Sequence, residues 1–296
     1  MKYFVTSDIH SFYDEFISGL NRSGFDLNNP DHILIVCGDI FDRGTKPKEI
    51  YHFLRYILPK NRRILIRGNH EFLLKELVER GFALRHDMSN GTYDTLLRLG
   101  GSSYNQFQRE LIEFYETEDL WNKIELIEEE TTKKTQFFFK NEEVAEIITW
   151  IFSDDWVNFY ELGPYIFVHS FVPTVTTWDC QKNEEIIRVP MKWRDCTISE
   201  WEGATWGCPW KMALATKKSR ALKGKIVVCG HWHTSDFWNH LDGLSMDSYI
   251  ENPIYKSDFL PSIIGLDACT AATKGTNVFV INEDMSSECF NHPIEK

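Results

Sequence analysis

The chain has 296 residues, of which 43% are hydrophobic and 26% are charged, an ordinary composition for a folded globular protein. Its 44 acidic residues outnumber its 32 basic residues and give a formal net charge of −12. This charge argues against broad electrostatic binding of nucleic acid or of an anionic membrane surface. No apolar stretch approaches the length of about 18 residues that a membrane-spanning helix needs.

The start of the chain and its cysteines bear on the cellular compartment. Tyr3–Thr6 leads directly into the first polar motif, and no hydrophobic signal-peptide segment stands before it. The seven cysteines include no CxxC pair, and Cys37 and Cys229 lie inside apolar runs. We therefore expect reduced structural thiols rather than a disulfide framework, and a cytoplasmic protein.

Short apolar segments rich in β-branched residues predict buried strands. In chain order they are Tyr3–Thr6, Ile33–Cys37, Ile64–Arg67, Tyr165–Val168, Ile226–Cys229, Ile263–Leu266 and Asn277–Ile281. Phe12–Leu20 and Lys48–Leu58 lie between the first three and have helical periodicity. The sequence therefore predicts an α/β fold with βαβ units, in which the carboxyl ends of neighbouring parallel strands meet at one crevice.

Residues 90–160 interrupt this pattern. They contain two segments with helical character, Ser103–Tyr115 and Glu142–Trp156, and acidic runs that we interpret as solvated helix faces. We expect one domain over residues 1–296, with residues 90–160 forming a helical, cap-like insertion over or beside the site.

Five short motifs follow predicted strands and carry the chemistry. They are Asp8-Ile9-His10, Gly38-Asp39-Ile40-Phe41-Asp42-Arg43-Gly44, Gly68-Asn69-His70-Glu71, the single residue His169, and Gly230-His231-Trp232-His233. Each residue alone has an ordinary explanation, such as a turn, a helix cap or a strand-end histidine. Their occurrence together predicts a dinuclear metal site.

Asp39 stands at the centre of the series and is the predicted bridging ligand. Two divalent cations about 4 Å apart repel each other, and a carboxylate between them offsets this repulsion. We expect one cation to be bound by Asp8, His10, Asp39 and His233, and the other by Asp39, Asn69, His169 and His231. Manganese, iron, zinc and cobalt all suit these mixed ligands. A hydroxide that bridges the two cations is the predicted nucleophile.

The remaining motif residues suit the other tasks of phosphate ester hydrolysis. Arg43 can fork onto two phosphate oxygens, although a surface ion pair is the ordinary alternative. His70 follows a predicted ligand and would protonate the leaving group, with Asp42 orienting its imidazole. Asp42 could instead only cap the turn. Arg194 lies between His169 and His231 in the sequence and is our candidate for a second substrate-binding arginine.

The series DxH, GDxxDRG, GNHE, a lone histidine and GHxH resembles the calcineurin-like metallophosphoesterase superfamily. Its DRG ending is similar to the phosphoprotein-phosphatase branch, which includes bacterial and phage serine/threonine phosphatases and symmetric dinucleoside-tetraphosphate hydrolases. The resemblance implies a four-layer αββα sandwich, often with manganese or iron. Ser7 and Ser11 replace glycines that commonly flank DxH, and His233 follows the wider superfamily rather than this branch.

Three functions are therefore compared. The first is a metal-dependent phosphatase acting on phosphomonoesters, with phosphoserine and phosphothreonine in proteins as candidate substrates. The second is a nucleotide hydrolase that cleaves a dinucleoside polyphosphate or a phosphodiester; the insertion and a tryptophan-rich later third, which could supply a base-stacking platform, favour it. The third is a non-catalytic scaffold, which the presence of every predicted ligand argues against.

Overall fold

The computed structural model describes residues 1–103, 105–106, 133, 136–137, 141–180, 183–258, 260 and 262–292. Its strands are β1 (Lys2–Thr6), β2 (His32–Cys37), β3 (Arg63–Ile66), β4 (Trp156–Val157), β5 (Tyr160–Leu162), β6 (Tyr165–Phe167), β7 (Val175–Asp179), β8 (Glu184–Arg188), β9 (Ile226–Cys229), β10 (Ile263–Gly265), β11 (Val278–Ile281) and β12 (Ser287–Phe290). Every predicted strand is present, with ends that differ by at most one residue.

The helices have the following bounds. They are α1 (Tyr13–Arg22), α2 (Pro47–His52), α3 (Asn69–Arg80), α4 (Arg85–Asn90), α5 (Thr92–Leu99), α6 (Glu142–Ile151), α7 (Ile198–Thr205), α8 (Pro209–Thr216), α9 (Thr234–Leu241) and α10 (Thr270–Thr273). The predicted helix Lys48–Leu58 is observed as α2 continued by a π-helical turn, Phe53–Ile57. In the described part of the chain, no helix combines the length and the apolar character needed to span a membrane.

Two main sheets carry the site. The first has the order β12-β11-β1-β2-β3-β4, and in it β1 to β4 run parallel while β11 is antiparallel to β1. The second has the order β10-β9-β6-β5, with β10, β9 and β6 parallel. β7 and β8 form a separate hairpin.

The alternation of side chains along β2 explains the layers. Leu34 and Val36 lie in a cluster with the helices outside the first sheet, whereas Ile35 and Cys37 lie in a second cluster with Phe167 of the facing sheet. A strand that is buried on both faces has to be apolar at successive positions, as this run is. Helices α7, α8 and α9 cover the outer face of the second sheet. The predicted four-layer αββα sandwich is confirmed.

The predicted insertion is only partly described. Its described helices α5 and α6 contribute Leu96 and Ile147 to the core outside the first sheet. The prediction of a helix over Glu142–Trp156 was too long, because α6 ends at Ile151 and a turn follows in which Ser153 Oγ donates to the Trp150 carbonyl at 2.7 Å. Most of the predicted helix Ser103–Tyr115 lies outside the described residues, and the cap-like insertion over residues 90–160 stays a prediction.

Candidate active site

The five motifs come together where the carboxyl ends of the two sheets meet. Motif residues follow β1, β2 and β3 in the first sheet, and β6 and β9 in the second. His169, after β6, reaches across to the first sheet, where its Nδ1 lies 2.9 Å from the carbonyl oxygen of Cys37 at the end of β2. In the other direction, the backbone N–H of His231 donates to the carboxylate of Asp8, after β1, at 3.0 and 3.1 Å.

The motif loops are held in an unusual backbone conformation. Left-handed φ angles occur at non-glycine residues Asp8 (51°), His10 (44°), Ser11 (59°), Asp39 (51°), Asp42 (73°), Arg43 (58°) and His231 (69°). Such conformations cost on the order of 1–3 kcal/mol each and persist where the surrounding structure fixes them, as at active sites. These conformations are concentrated in the motif loops. We infer that the stabilisation gained by placing the side chains in the site outweighs the conformational cost to the backbone.

Two motif glycines allow carboxylates to pack against the backbone. A Cβ atom on Gly68 would lie 2.2 Å from Oδ1 of Asp39, and a Cβ atom on Gly230 would lie 1.8 Å from Oδ2 of Asp8. Both positions therefore exclude any side chain, which explains the glycines of the third and fifth motifs.

Asp39 lies between two groups of candidate metal ligands. Its Oδ2 is 3.7 Å from Nε2 of both His10 and His70, and its Oδ1 is 3.3 Å from Nε2 of His169. The ligand atoms of His10, Asp39 and His70 all lie within 4.8 Å of one another, and so do those of Asp39, His169 and His231. One buried carboxylate is thus shared by two donor sets.

His10 and His169 of these groups have the hydrogen-bonding arrangement of metal ligands. Nδ1 of His10 lies 2.9 Å from the Phe41 carbonyl, and Nδ1 of His169 contacts a carbonyl in the same way. A carbonyl only accepts, so each Nδ1 donates and each Nε2 keeps its lone pair, the usual arrangement for metal-binding histidines. Burial lowers the pKa of His10 and His169, and that of His231 to about 3, which keeps all three neutral.

Asn69 completes the second group. Its Oδ1 lies 2.8 Å from Nε2 of His169, which in turn lies 3.2 Å from Nδ1 of His231. Because Nε2 of a neutral His169 carries a lone pair, it and the amide oxygen are both electron donors facing each other. Such a cluster suits a cation better than it suits hydrogen bonding among its own members, so these residues fit a divalent metal.

Asp8 and His233 lie beside these groups rather than within them. Burial and the nearby carboxylates of Asp267 and Asp39 raise the pKa of Asp8 well above its usual value, so excess negative charge is buried here that a cation would offset. Burial alone would lower the pKa of His233, but a hydrogen bond with Cys269 and the charge of Asp267 raise it to about 9. Their predicted role as ligands of the first cation stays a prediction.

His70 and Asp42 form a close pair. His70 Nδ1 lies 2.6 Å from Oδ2 of Asp42, and the hydroxyl of Thr92 donates to the same oxygen at 2.6 Å. Burial opposes protonation of His70, but the charges of Asp39 and Asp42 and the hydrogen bond to Asp42 outweigh it and raise its pKa. His70 therefore differs from the three histidines whose pKa is lowered, and it can hold a proton.

Arg43 is exposed beside this pair. Its Nη2 lies 3.4 Å from Nε2 of His70, and within the described residues it forms no salt bridge with a carboxylate. The ordinary alternative of a surface ion pair is not observed in the described part of the chain. The guanidinium is available to an anion that approaches His70.

Comparison with known proteins decides the family. Residues 1–235 match the calcineurin-like phosphoesterase family. The chain belongs to this family. The predicted resemblance of the motif series is thereby confirmed, and so is the expectation of a phosphoester hydrolase family.

Two curated relatives of this calcineurin-like phosphoesterase are bacterial enzymes. They are the asymmetrical bis(5'-nucleosyl)-tetraphosphatases PrpE of Bacillus velezensis and Bacillus subtilis, each 28% identical over 129 residues, which is 41% of this chain and 51% and 52% of theirs. The match spans about half the length of these relatives. Among solved structures, a mutant of a cold-active protein tyrosine phosphatase is similar with a TM-score of 0.50 at 13% identity, covering 97% of this chain and 80% of that one. That likeness shows the fold alone.

Glu71 has a positioning role in the phosphoesterase site that the sequence analysis missed. Its buried carboxylate accepts the backbone N–H groups of Asp39 at 3.0 Å, Ile40 at 2.9 Å and Gly68 at 2.7 Å. It thereby ties the loop after β2 to the loop after β3. Burial, with the charge of Asp39, raises its pKa to about 7. Glu71 is the last residue of the GNHE motif, so the motif contained this residue although no role was predicted for it.

Arg194 forms an ion pair outside the two histidine groups. Its guanidinium makes a bidentate pair with Glu161, with distances of 2.7 and 2.8 Å, and the hydrogen bond lowers the pKa of Glu161 to about 2. Lys225, just before β9, binds the same carboxylate at 3.1 Å, whereas His231 follows the opposite end of that strand. Arg194 is thus engaged in an ion pair with Glu161, which does not favour it as a phosphate ligand, and its role in substrate binding stays a prediction.

Substituting Arg194 by Gln should leave kcat/KM for p-nitrophenyl phosphate within about twofold of the parent value, because its guanidinium is paired with Glu161. The protein should also stay folded, since a surface ion pair is worth at most about 1 kcal/mol of stability. Arg43→Gln is the matched comparison and should lower kcat/KM about 100-fold or more, because it removes a charged donor that stabilises the transition state. Steady-state kinetics of both variants check this. Equal losses would return Arg194 to the site.

Proposed function

We propose that this calcineurin-like phosphoesterase is a phosphatase that hydrolyses phosphate monoesters with two divalent cations. The observation that carries the proposal is the position of Asp39, whose two carboxylate oxygens face separate groups of histidines, His10 with His70 and His169 with His231. Such a shared carboxylate offsets the repulsion between two cations at close range.

The ligand sets of the proposal follow from the donor groups. His10 and Asp39 would hold the first cation together with the predicted ligands Asp8 and His233, and the second would be held by Asp39, Asn69, His169 and His231. When bound, the cations polarise the phosphate ester and lower the pKa of a water molecule that can attack it. Manganese is the metal we propose to test first, with iron, zinc and cobalt as alternatives.

The chain's own residues would bind the substrate and move the proton. Arg43 would bind two non-bridging phosphate oxygens, because its guanidinium is exposed beside His70. His70 would give its Nε2 proton to the leaving-group oxygen, while Asp42 holds Nδ1 and fixes the direction of the ring. Phosphorylated serine and threonine of proteins are the substrates we propose, within the cytoplasm.

Metal removal tests this proposal directly. Protein treated with a chelator should lose activity on p-nitrophenyl phosphate and on a phosphoserine peptide, and manganese should restore both as about two ions bind per chain. Iron, zinc and cobalt are compared in the same assay, and elemental analysis gives the stoichiometry. Full activity of the chelated, metal-free protein would contradict the proposal.

A second candidate function is hydrolysis of a nucleotide, and one aromatic side chain favours it. The indole of Trp206 is 50% exposed and stands perpendicular to the ring of His231, with the ring centroids 6.4 Å apart. Its loop is fixed to the site, because Ser170, next to His169, donates to the Gly207 carbonyl at 2.7 Å. An exposed indole at the edge of the site can stack on a nucleobase. The names of the two Bacillus relatives support this candidate.

Substituting Trp206 by Leu should lower kcat/KM for diadenosine tetraphosphate at least about fivefold, because base stacking on an aromatic side chain is worth about 1–3 kcal/mol. Glycerol 2-phosphate, which has no base, should be hydrolysed as before. The matched control is Trp178→Leu in the β7–β8 hairpin, where the indole is 57% exposed. Equal losses on both substrates would remove the stacking role, and product analysis separates symmetric from asymmetrical cleavage.

A further inference from the structure

A cluster of basic residues adjoins a cavity on the second sheet. We define this basic segment as Lys217, Lys218, Arg220 and Lys223, which are all exposed. None of the four has a carboxylate partner within the described residues, although the chain as a whole carries a net charge of −12. An unpaired positive cluster in an acidic protein raises the local concentration of anions.

The cavity beside the basic segment has a volume of about 470 Å³. Its apolar surface comes mainly from the half-buried Leu222 and Ile226, with Phe171, Ala213 and Val227 buried behind them, and no acidic side chain of the described residues lines it. Ligand pockets of about 300–1,000 Å³ are typical for small organic molecules, which commonly lie on an apolar surface and are oriented by a few polar groups.

This cavity is separate from the phosphoesterase site. Ile226 in its wall is the first residue of β9, whereas His231 follows the other end of the same strand. Ser262, also in the wall, directly precedes β10, which runs parallel to β9. The cavity therefore lies at the amino ends of these strands and the histidines lie beyond their carboxyl ends.

We propose that this cavity is a second ligand site and that it binds a nucleoside polyphosphate. The base and ribose would lie on the apolar surface formed by Leu222 and Ile226, and the phosphate chain would lie against the basic segment. The four positively charged side chains of the basic segment lie within seven residues of the sequence, and their number matches the three to four negative charges of a triphosphate. A second cavity, of about 330 Å³, shares Lys218, Ser219 and Arg220, so these residues form a ridge that is open to anions from both sides.

Isothermal titration of the manganese-loaded protein with adenosine 5'-(β,γ-imido)triphosphate tests the proposal. The double variant Lys218→Glu, Arg220→Glu should lower the affinity at least about tenfold, a change of about 1.4 kcal/mol in binding free energy. Its activity on p-nitrophenyl phosphate should stay unchanged, which separates this site from the phosphoesterase site. The matched control Lys192→Glu, Lys211→Glu makes the same change of charge at exposed positions outside the cavity and should leave the affinity within about twofold.

Three results would overturn the proposal. An equal loss of affinity in the control variant would mean that the nucleotide responds only to the overall charge. Equally tight binding of inorganic tripolyphosphate would mean that the apolar surface takes no part. Displacement of the nucleotide by a short poly-glutamate peptide at similar concentration would identify the segment as a docking surface for acidic protein.

Discussion

Replacing Asp39 by Asn should lower kcat/KM on phosphate monoesters by about four orders of magnitude, a loss of about 5.4 kcal/mol of transition-state stabilisation. The reason is geometric as well as electrostatic. Oδ2 of the carboxylate faces His10 and His70, while Oδ1 faces His169. An amide keeps one oxygen, places an N–H₂ donor toward the other group and removes the negative charge between two cations.

Metal content distinguishes this loss from a general defect. Elemental analysis of the Asp39→Asn protein should give about one bound ion or fewer per chain, against about two in the parent protein. Asp26→Asn, at an exposed position near the start of β2, is the matched control and should keep both activity and metal. A variant of Asp39 that kept two ions and normal activity would remove the bridging carboxylate from the proposed function.

The strands and the motif loops could be predicted because their signals are local. Each motif follows an apolar run such as Ile33–Cys37, and parallel strands place their carboxyl ends at one edge of a sheet. Order along the chain was therefore enough to place Asp39 near His10 and Asn69, whereas His169 follows a strand of the second sheet and was assigned to the site from its place in the motif series. Leu34 and Ile35 pack into different clusters, one on each face of the first sheet. The apolar run therefore also predicted a sheet that is covered on both faces.

Contacts between distant segments could not be predicted in this way. The pairing of Arg194 with Glu161 depends on where β5 lies beside β6, and no local pattern in the sequence encodes that neighbourhood. Likewise, nothing in the local sequence around Thr92 predicts that its hydroxyl donates to Asp42, because only the fold brings the two residues together. The end of α6 depended on Ser153, whose hydroxyl stabilises a turn that competes with the helix.

The position of His70 raises two interpretations that a single variant can separate. Its imidazole lies within the first donor group, with His10 and Asp39, so it has the geometry of a metal ligand as well as that of an acid. The raised pKa of His70, set by Asp39 and Asp42 against the effect of burial, favours the acid, because a metal binds the neutral ring. The two roles make different predictions about the leaving group.

Substituting His70 by Asn should therefore lower kcat on glycerol 2-phosphate by about 10²–10⁴-fold, the range typical of a lost general acid. Hydrolysis of p-nitrophenyl phosphate should fall less than about tenfold, since p-nitrophenolate leaves without a proton. Asp42→Asn keeps the imidazole but removes the carboxylate 2.6 Å from Nδ1, so it should give a smaller loss with the same dependence on the leaving group. Equal losses on both substrates, together with a lower metal content, would instead make His70 a ligand of the first cation.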